Sequence, residues 1–294
     1  MLRRWLILVF TGLLFAIVKS EFPLSELKIA KELQESWEMN VGYDINRWFT
    51  MMNCSAAVME GGGYIETMDS QQYWQICHRH HLQTFCGSNG NSTSLIPLSS
   101  VCSDQVKVFG NYRACMTSEL IQKEKKCVAI SIGSNNKWEF EEALYNHSIC
   151  EIHTFDPRIR DNFYHKIIKV PEAISTRAFF HNRAVGLKNN NGMTSFKTAV
   201  ELSNVTSTNN LSLLKIDCEG CELYFFSYLQ KSGQFHLLPH QILMEVHLKE
   251  FRFRQIETVH VYIDLISSLF KAGYVVFDNR IGDGGCELGF VKVF

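Results

Sequence analysis

From residue 127 onward, short apolar segments alternate with segments in which apolar residues recur at helical spacing. Apolar runs of four to seven residues predict strands, and the intervening segments predict helices. The predicted strands span 128–132, 151–155, 177–180, 211–216, 241–247, 274–277 and 288–293. The predicted helices span 138–145, 196–202, a segment that begins at 221, and 255–270. Strands separated by helices indicate an α/β fold with a mainly parallel sheet, and the last two strands predict a C-terminal antiparallel hairpin.

The N-terminal part of the chain has a different pattern. Helical periodicity occurs at 24–37 and 45–52, and six of the ten cysteines fall between residues 54 and 127. A length of 294 residues accommodates one large or two modest domains. We therefore divide the chain into a targeting segment over 1–20, a Cys-rich helical extension over 21–120 and the sheet domain over 121–294.

The first residues have the features of a targeting signal. Arg3 and Arg4 precede an uncharged, mostly apolar run of 14 residues, 5–18. A spanning helix needs about 20 apolar residues, so this run predicts a cleaved signal peptide. A type II signal-anchor is the alternative. The expected location is therefore outside the cell or in the lumen of the secretory pathway, or, in the alternative, the membrane itself.

The cysteines agree with an oxidising compartment. Their number is even, which predicts disulfides in a secreted chain, although buried free thiols are the alternative. Cys127 and Cys150 begin the first two predicted strands of the sheet domain, and we expect them to form a disulfide across one sheet edge. Cys102 and Cys115 are further candidates to attach the N-terminal region there.

Glycosylation sequons also point to the secretory route. Those after residue 120 lie between a predicted helix and the next strand, away from the carboxyl ends of the strands, where a glycan leaves the site open. The formal net charge of −1 indicates no nucleic-acid partner, and membrane contact is expected only through an uncleaved anchor. The sequons are at Asn53, Asn91, Asn146, Asn204 and Asn210.

Candidate ligand-binding residues follow the first two strands of the sheet domain. Gly133, Ser134 and Asn135 connect the first strand to a helix, where a glycine permits close backbone approach and the helix N-terminus attracts an anion. Asp156 ends the second strand, 23 residues after Gly133, at a position that suits hydrogen bonds from ribose hydroxyls. A helix cap next to Pro157 is the alternative role for Asp156.

A second group of polar residues follows the fourth and fifth strands. Asp217 and Glu219 end the fourth strand, and Glu245 and His247 end the fifth. If these strands are neighbours, the four side chains converge, where they could deprotonate a hydroxyl or hold a divalent metal. We assign no metal ligands at this point. The alternatives are a helix cap for Asp217 and a structural role for His247.

Two cysteines interrupt this acidic group. Cys218 and Cys221 have the Cys-x-x-Cys spacing at a strand–helix turn. This spacing allows a thiol oxidoreductase site, but we favour a disulfide or two packed thiols beside the acidic residues.

The segment Lys215-Ile-Asp-Cys-Glu-Gly-Cys-Glu222 resembles the KIDxEGxE signature of FkbM-like methyltransferases. Further segments, at 109–115, 127–143, 150–157 and 287–292, are similar to the methyltransferase type 22 group. The resemblance implies a Rossmann-like fold and methyl transfer from S-adenosylmethionine. Gly133, Ser134, Asn135 and Asp156 are then the cofactor-binding residues.

The function expected from these features is an S-adenosylmethionine-dependent methyltransferase of the secretory pathway that acts on oxygen. Its catalytic residues are expected to be Asp217, Glu219, Glu245 and His247. The acceptor is a small molecule, a glycan or a protein. The alternative from another class is a secreted, inactive binding or structural module on a methyltransferase fold.

Overall fold

A computed structural model describes residues 99, 101–102, 105–121, 126–157, 169–189, 192–205, 211–247, 264–281 and 285–293. The targeting segment and the helices predicted at 24–37 and 45–52 lie outside these residues. The described strands are β1 (Val106–Phe109), β2 (Tyr112–Cys115), β3 (Val128–Ile132), β4 (Glu151–Phe155), β5 (Ala178–His181), β6 (Ala184–Gly186), β7 (Met193–Ser195), β8 (Leu211–Ile216), β9 (Gln241–Val246), β10 (Tyr274–Ile281) and β11 (Cys286–Lys292).

The described α-helices are α1 (Ser118–Ile121), α2 (Glu139–His147), α3 (Phe196–Leu202), α4 (Cys221–Lys231) and α5, of which 264–271 are described. Each of the longer ones lies between two strands of the main sheet, as the alternating pattern predicts. Within the described part of the chain, no helix combines the length and apolar character that a membrane crossing needs.

The main sheet has seven strands in the order β10-β11-β9-β8-β3-β4-β5. The neighbours from β9 to β5 pair in parallel, whereas β11 is antiparallel to both β9 and β10. This confirms the prediction of a mainly parallel sheet with a C-terminal antiparallel hairpin. It also places β8 beside β9, so the two strands that precede the acidic residues end next to each other.

The central strands are apolar because they are buried on both faces. Every residue of β3 and of β8 is buried. Alternate residues of β3 belong to different cores: Ile130 packs with α3, α4 and α5 on one side, and Ala129 packs with α2 on the other. The sheet is therefore covered on both faces, and sheets of this kind bind ligands at the carboxyl ends of the parallel strands.

The hairpin β1–β2 packs on this sheet, although the sequence pattern does not predict it. Gln241 extends the hairpin's hydrogen bonding, because its amide accepts from the Cys115 backbone N–H at 2.7 Å and donates to the Cys115 carbonyl at 2.8 Å. Tyr112 packs edge-on against Phe140 of α2, with ring centroids 5.6 Å apart. The hairpin thereby holds Tyr112 above the ends of β8 and β9.

Three disulfides join described residues. Cys127 and Cys150 are paired, as predicted, with their Cα atoms 4.4 Å apart. Cys102 is bonded to Cys115 across 5.6 Å, so these two cysteines close the base of the hairpin. Cys218 is bonded to Cys221 across 5.3 Å. Cys286 is also disulfide-bonded, and the described residues contain no free cysteine.

Candidate functional site

Gly133 brings the end of β3 against the end of β8. Its φ is +81°, and a Cβ atom there would overlap the carbonyl oxygen of Asp217. The Gly133 N–H donates to the Phe155 carbonyl at 3.0 Å, and the Asp217 N–H donates to the Ile132 carbonyl at 3.0 Å. Only glycine fits this combination of positive φ and close approach. The ends of β4, β3 and β8 are therefore tied together at this point.

Asp156 shapes the loop that follows Gly133. It is buried, and its Oδ2 accepts hydrogen bonds from the backbone N–H groups of Ser134 at 2.8 Å and Asn135 at 2.6 Å. The Ser134 hydroxyl donates to the same oxygen at 3.2 Å. Asn135 and Asn136 have positive φ values of 48° and 57°, which these bonds help to hold. One carboxylate oxygen of Asp156 is therefore committed to positioning the loop.

The four predicted acidic and histidine residues lie together beyond β8 and β9. His247 is 2% exposed, and its Nε2 lies 3.7 Å from Asp217 Oδ1 and 3.7 Å from Glu219 Oε2. The same nitrogen lies 3.8 Å from Glu245 Oε1. Three carboxylates thus face one imidazole nitrogen.

Glu222, which the sequence reasoning did not select, orients this imidazole. It is fully buried, and its Oε1 lies 3.1 Å from His247 Nδ1 and accepts from the His247 backbone N–H at 2.8 Å. Its Oε2 accepts from the Gly220 N–H at 3.0 Å. Because a carboxylate only accepts, a proton on Nδ1 satisfies this contact and turns Nε2 toward the other carboxylates. Glu222 is the last residue of the signature segment, and that was the available signal.

The turn that carries Glu219 has a left-handed backbone. Glu219 has a φ of 59° and is 70% exposed, and Gly220 has a φ of 103°. The Cys218–Cys221 disulfide closes the same turn. A left-handed non-glycine residue is uncommon and is often found where a side chain must be presented to a ligand. The turn presents the Glu219 carboxylate toward His247.

Lys215 connects the glycine loop to the acidic group. It is 4% exposed, and its ammonium group donates to the Gly133 carbonyl and lies 3.3 Å from Asp217 Oδ2. It also lies 5.2 Å from the centre of the Tyr112 ring. One oxygen of Asp217 therefore faces Lys215 while the other faces His247. In the sequence, Lys215 is recognisable only as the first residue of the signature segment, with no predicted role.

Glu287 and Tyr112 complete the surroundings. Glu287 is 2% exposed and lies opposite Glu245 in the β11–β9 pair. Its Oε2 makes no hydrogen bond to any described residue. The buried Tyr112 hydroxyl lies beside Asp217 but outside normal hydrogen-bond geometry with the described residues. Neither residue was selected from the sequence, because only the tertiary fold brings them to these strand ends.

The pKa values in this group reflect burial and crowding of negative charge. Burial, together with the charge of Asp217, raises the pKa of Glu245 to about 7. Burial and the charge of Glu245 raise the pKa of Glu287 to about 8. Burial alone would lower the pKa of His247, but the hydrogen bond and charge of Glu222, with Glu245 and Glu219, raise it. The buried carboxylates around His247 therefore favour bound protons or another cation.

A Rossmann-like sheet with polar residues at the carboxyl ends of adjacent parallel strands defines a class of α/β proteins that bind ligands at that edge. The family model described as a methyltransferase domain, that of the type 22 methyltransferases, matches residues 100–292, more than half of the chain. The chain belongs to this methyltransferase family.

A solved structure from Klebsiella pneumoniae, assigned as an O-methyltransferase, is similar over 58% of this chain and 74% of that chain. The identity is 9% and the TM-score is 0.36. The comparison with curated proteins finds no significant match.

Proposed function

We propose that the protein is an S-adenosylmethionine-dependent methyltransferase that methylates an oxygen atom of its acceptor. One observation carries the proposal: the Gly133 loop and the His247 group occupy the same edge of the sheet. Lys215 joins them through contacts with Gly133 and Asp217. Methyl transfer chiefly requires that donor and acceptor be held in line at a short distance, and this arrangement suits that requirement. Membership of the methyltransferase family supports it.

The proposed cofactor-binding residues are Gly133, Ser134, Asn135 and Asp156. Their chemistry fits the cofactor, since a loop of backbone N–H groups suits a carboxylate and a strand-end aspartate suits ribose hydroxyls. Asp156 Oδ2 already holds the loop, so its second oxygen is the one proposed to accept from ribose. When bound, S-adenosylmethionine supplies a methyl group on a positively charged sulfur.

The proposed acceptor-binding residues are Asp217, Glu219, Glu245 and His247. An acceptor hydroxyl oxygen forms the new bond to the methyl carbon while the carbon–sulfur bond breaks, and that electron pair stays on sulfur. The hydroxyl proton must leave, and a carboxylate of this group is placed to take it. We propose that His247 either takes part in this proton transfer or binds a cation.

Isothermal titration calorimetry with S-adenosylmethionine and its demethylated product tests the proposal. We expect binding by the wild-type protein and at least about tenfold weaker binding by Asp156→Ala, a loss of about 1.4 kcal/mol. Asp278→Asn is the matched control, because Asp278 is another buried aspartate but is bonded to Arg280 on edge strand β10. No binding by the wild-type protein at millimolar ligand would contradict the proposal and favour the inactive binding module.

We also propose that the protein enters the secretory pathway. The disulfides support this location, since such bonds persist in oxidising compartments. Asn146 and Asn204 are exposed and precede β4 and β8, at the sheet edge opposite the site. Expression in a secretory host, followed by endoglycosidase treatment, should give a mobility shift that Asn146→Gln and Asn204→Gln reduce. A cytosolic protein without a shift would contradict this proposal.

A further inference from the structure

We propose that Asp217, Glu219 and His247 form a binding site for a divalent transition-metal ion. Each residue offers one ligand atom, and these three atoms lie within 4.8 Å of one another. The existence of the site does not depend on the methyltransferase proposal, but its suggested role in binding the acceptor does rest on that proposal.

The spacing of the three ligand atoms suits one shared ion. Two ligands about 2.1 Å from a metal and separated by a tetrahedral angle lie about 3.4 Å apart. The His247 Nε2 atom lies 3.7 Å from Asp217 Oδ1 and 3.7 Å from Glu219 Oε2. These distances are too long for hydrogen bonds and close to those between ligands of a common ion. The ligand atoms of Asp217 and Glu219 lie within 4.8 Å of each other, so the two carboxylates must move closer together to coordinate one ion with His247.

Glu222 gives His247 the support that metal-binding histidines have. A coordinating imidazole usually donates its second N–H to a carboxylate, which fixes the tautomer and the ring orientation. Glu222 is fully buried and lies 3.1 Å from His247 Nδ1 on the side away from the other carboxylates. The contact with the His247 backbone N–H at 2.8 Å fixes the carboxylate itself.

The buried carboxylate of Glu287 is a second, independent observation that favours a cation at this site. Glu287 is 98% buried, since only 2% of it is exposed, and its Oε2 has no hydrogen-bond partner among the described residues. Glu287 lies opposite Glu245, whose carboxylate lies 3.8 Å from His247 Nε2. A buried carboxyl oxygen without a donor is costly unless positive charge compensates it. Two cations lie near Glu287: Lys215, which faces Asp217, and Arg280, which is paired with Asp278. A further cation between Asp217, Glu219 and His247 would compensate the remaining carboxylates.

The ligand set indicates which ion binds. Ca²⁺ and Mg²⁺ are held by oxygen ligands, whereas one imidazole and two carboxylates suit Mn²⁺ or Zn²⁺. Three protein ligands leave coordination positions for water or for oxygens of the acceptor. A bound hydroxyl becomes more acidic on such an ion, and Glu245, which is outside the ligand set, is placed to receive its proton.

Metal binding to the full-length chain, stripped with a chelator and free of S-adenosylmethionine, tests the inference. Mn²⁺ titration followed by electron paramagnetic resonance should show saturable binding, and electron spin-echo envelope modulation of the bound ion should show coupling to one nitrogen. Zn²⁺ should compete for the same site. His247→Asn and Asp217→Asn should each weaken binding at least about tenfold.

Glu219→Gln provides a variant with little risk to folding, because Glu219 is 70% exposed, and it should also weaken Mn²⁺ binding. His181→Asn, a histidine on β5 outside this group, should bind Mn²⁺ like the wild-type protein. Absence of nitrogen coupling, or wild-type affinity for Mn²⁺ in the Glu219 and His247 variants, would overturn the inference. Cofactor binding without metal binding would overturn this inference alone, and metal binding without cofactor binding would overturn only the methyltransferase proposal.

Discussion

Two histidines at the same sheet are both almost completely buried, and their pKa values are shifted in opposite directions. His247, just after β9, is 2% exposed, and His153, within β4, is 3% exposed. Carboxylates surround His247, and Glu222, Glu245 and Glu219 raise its pKa. His153 stacks on Phe179 at 5.0 Å and contacts His181 through Nδ1 at 3.0 Å, and burial lowers its pKa to about 4.

Burial lowers the pKa of both imidazoles, and the carboxylates beside His247 reverse that shift. His153 lies among aromatic rings in the middle of a strand, and this environment favours the neutral form of the imidazole. His247 lies where two strand ends bring acidic residues together, so it is stabilised as a cation or as a ligand to one. The surroundings of His247 are therefore the ones suited to proton transfer or cation binding.

Removal of the charge on Glu222 should have the largest effect on the difference in pKa between His247 and His153. Loss of one partner of a buried ionic pair costs about 4 kcal/mol, because the other partner is left uncompensated. Three further carboxylates remain near His247, so Glu222→Gln should lower the free energy of unfolding by at most about that amount, and it should lower the pKa of His247. Urea unfolding and NMR titration measure the two effects. Glu201→Gln, on the exposed face of α3, should change neither.

Glu287→Gln should raise the free energy of unfolding, whereas Glu222→Gln should lower it. Burial raises the pKa of Glu287 from 4.5 to about 8, so the folded state binds more protons than the unfolded state between these values. Stability is therefore lost as the pH rises through this range, and the substitution should restore about 3 kcal/mol at pH 8.

The gain from Glu287→Gln should vanish at low pH and shrink when Mn²⁺ is added, because protons or a metal ion then compensate the carboxylate. Denaturant unfolding with a chelator, and again with the metal, measures it. The exposed Glu172→Gln is the control. Equal stability of variant and wild type at every pH would show that Glu287 is not under electrostatic stress.

The two histidines should contribute pH dependences of opposite sign. The lowered pKa of His153 means that the unfolded state binds more protons between about pH 4 and 6.5, so stability is lost on acidification. The raised pKa of His247 contributes stability below pH 6.5 that is lost as the pH rises through the folded-state value.

His153→Phe should therefore remove about 2 kcal/mol of acid sensitivity while it keeps the ring stack with Phe179. His247→Asn should instead flatten the loss at higher pH. Unfolding free energies of both variants and of the wild-type protein, measured across pH 4 to 8, give the pH dependence that each histidine contributes. Contributions of the same sign would contradict the comparison.

The smallest effect is expected at Tyr112. Its hydroxyl makes no hydrogen bond of normal geometry to the described residues, so Tyr112→Phe removes no such bond and should not lower the free energy of unfolding. Tyr274→Phe is the matched control, because the buried Tyr274 hydroxyl donates to the Pro239 carbonyl. Its loss should cost about 1 kcal/mol. Thermal unfolding of both variants tests whether the two phenols differ in this way.

Much of the sheet was predictable because its central strands are apolar along their whole length. The predicted bounds of β3, β4 and β8 agree with the structure. The hairpin β1–β2 was missed because three of its eight residues face solvent and its segments are only four residues long. Short, half-exposed strands carry little periodic signal, so their pairing depends on contacts such as those of Gln241.

The amino-acid sequence alone determined the order of strands and helices, and with it the residues that follow each strand. It thereby identified Gly133, Asp156, Asp217 and His247 as strand-end residues, since strand periodicity and loop position are local properties. Only the tertiary structure decided which groups face each other. Glu222 beneath His247 and Glu287 beside Glu245 owe their roles to strand order, register and burial, which arise from contacts between residues distant in sequence.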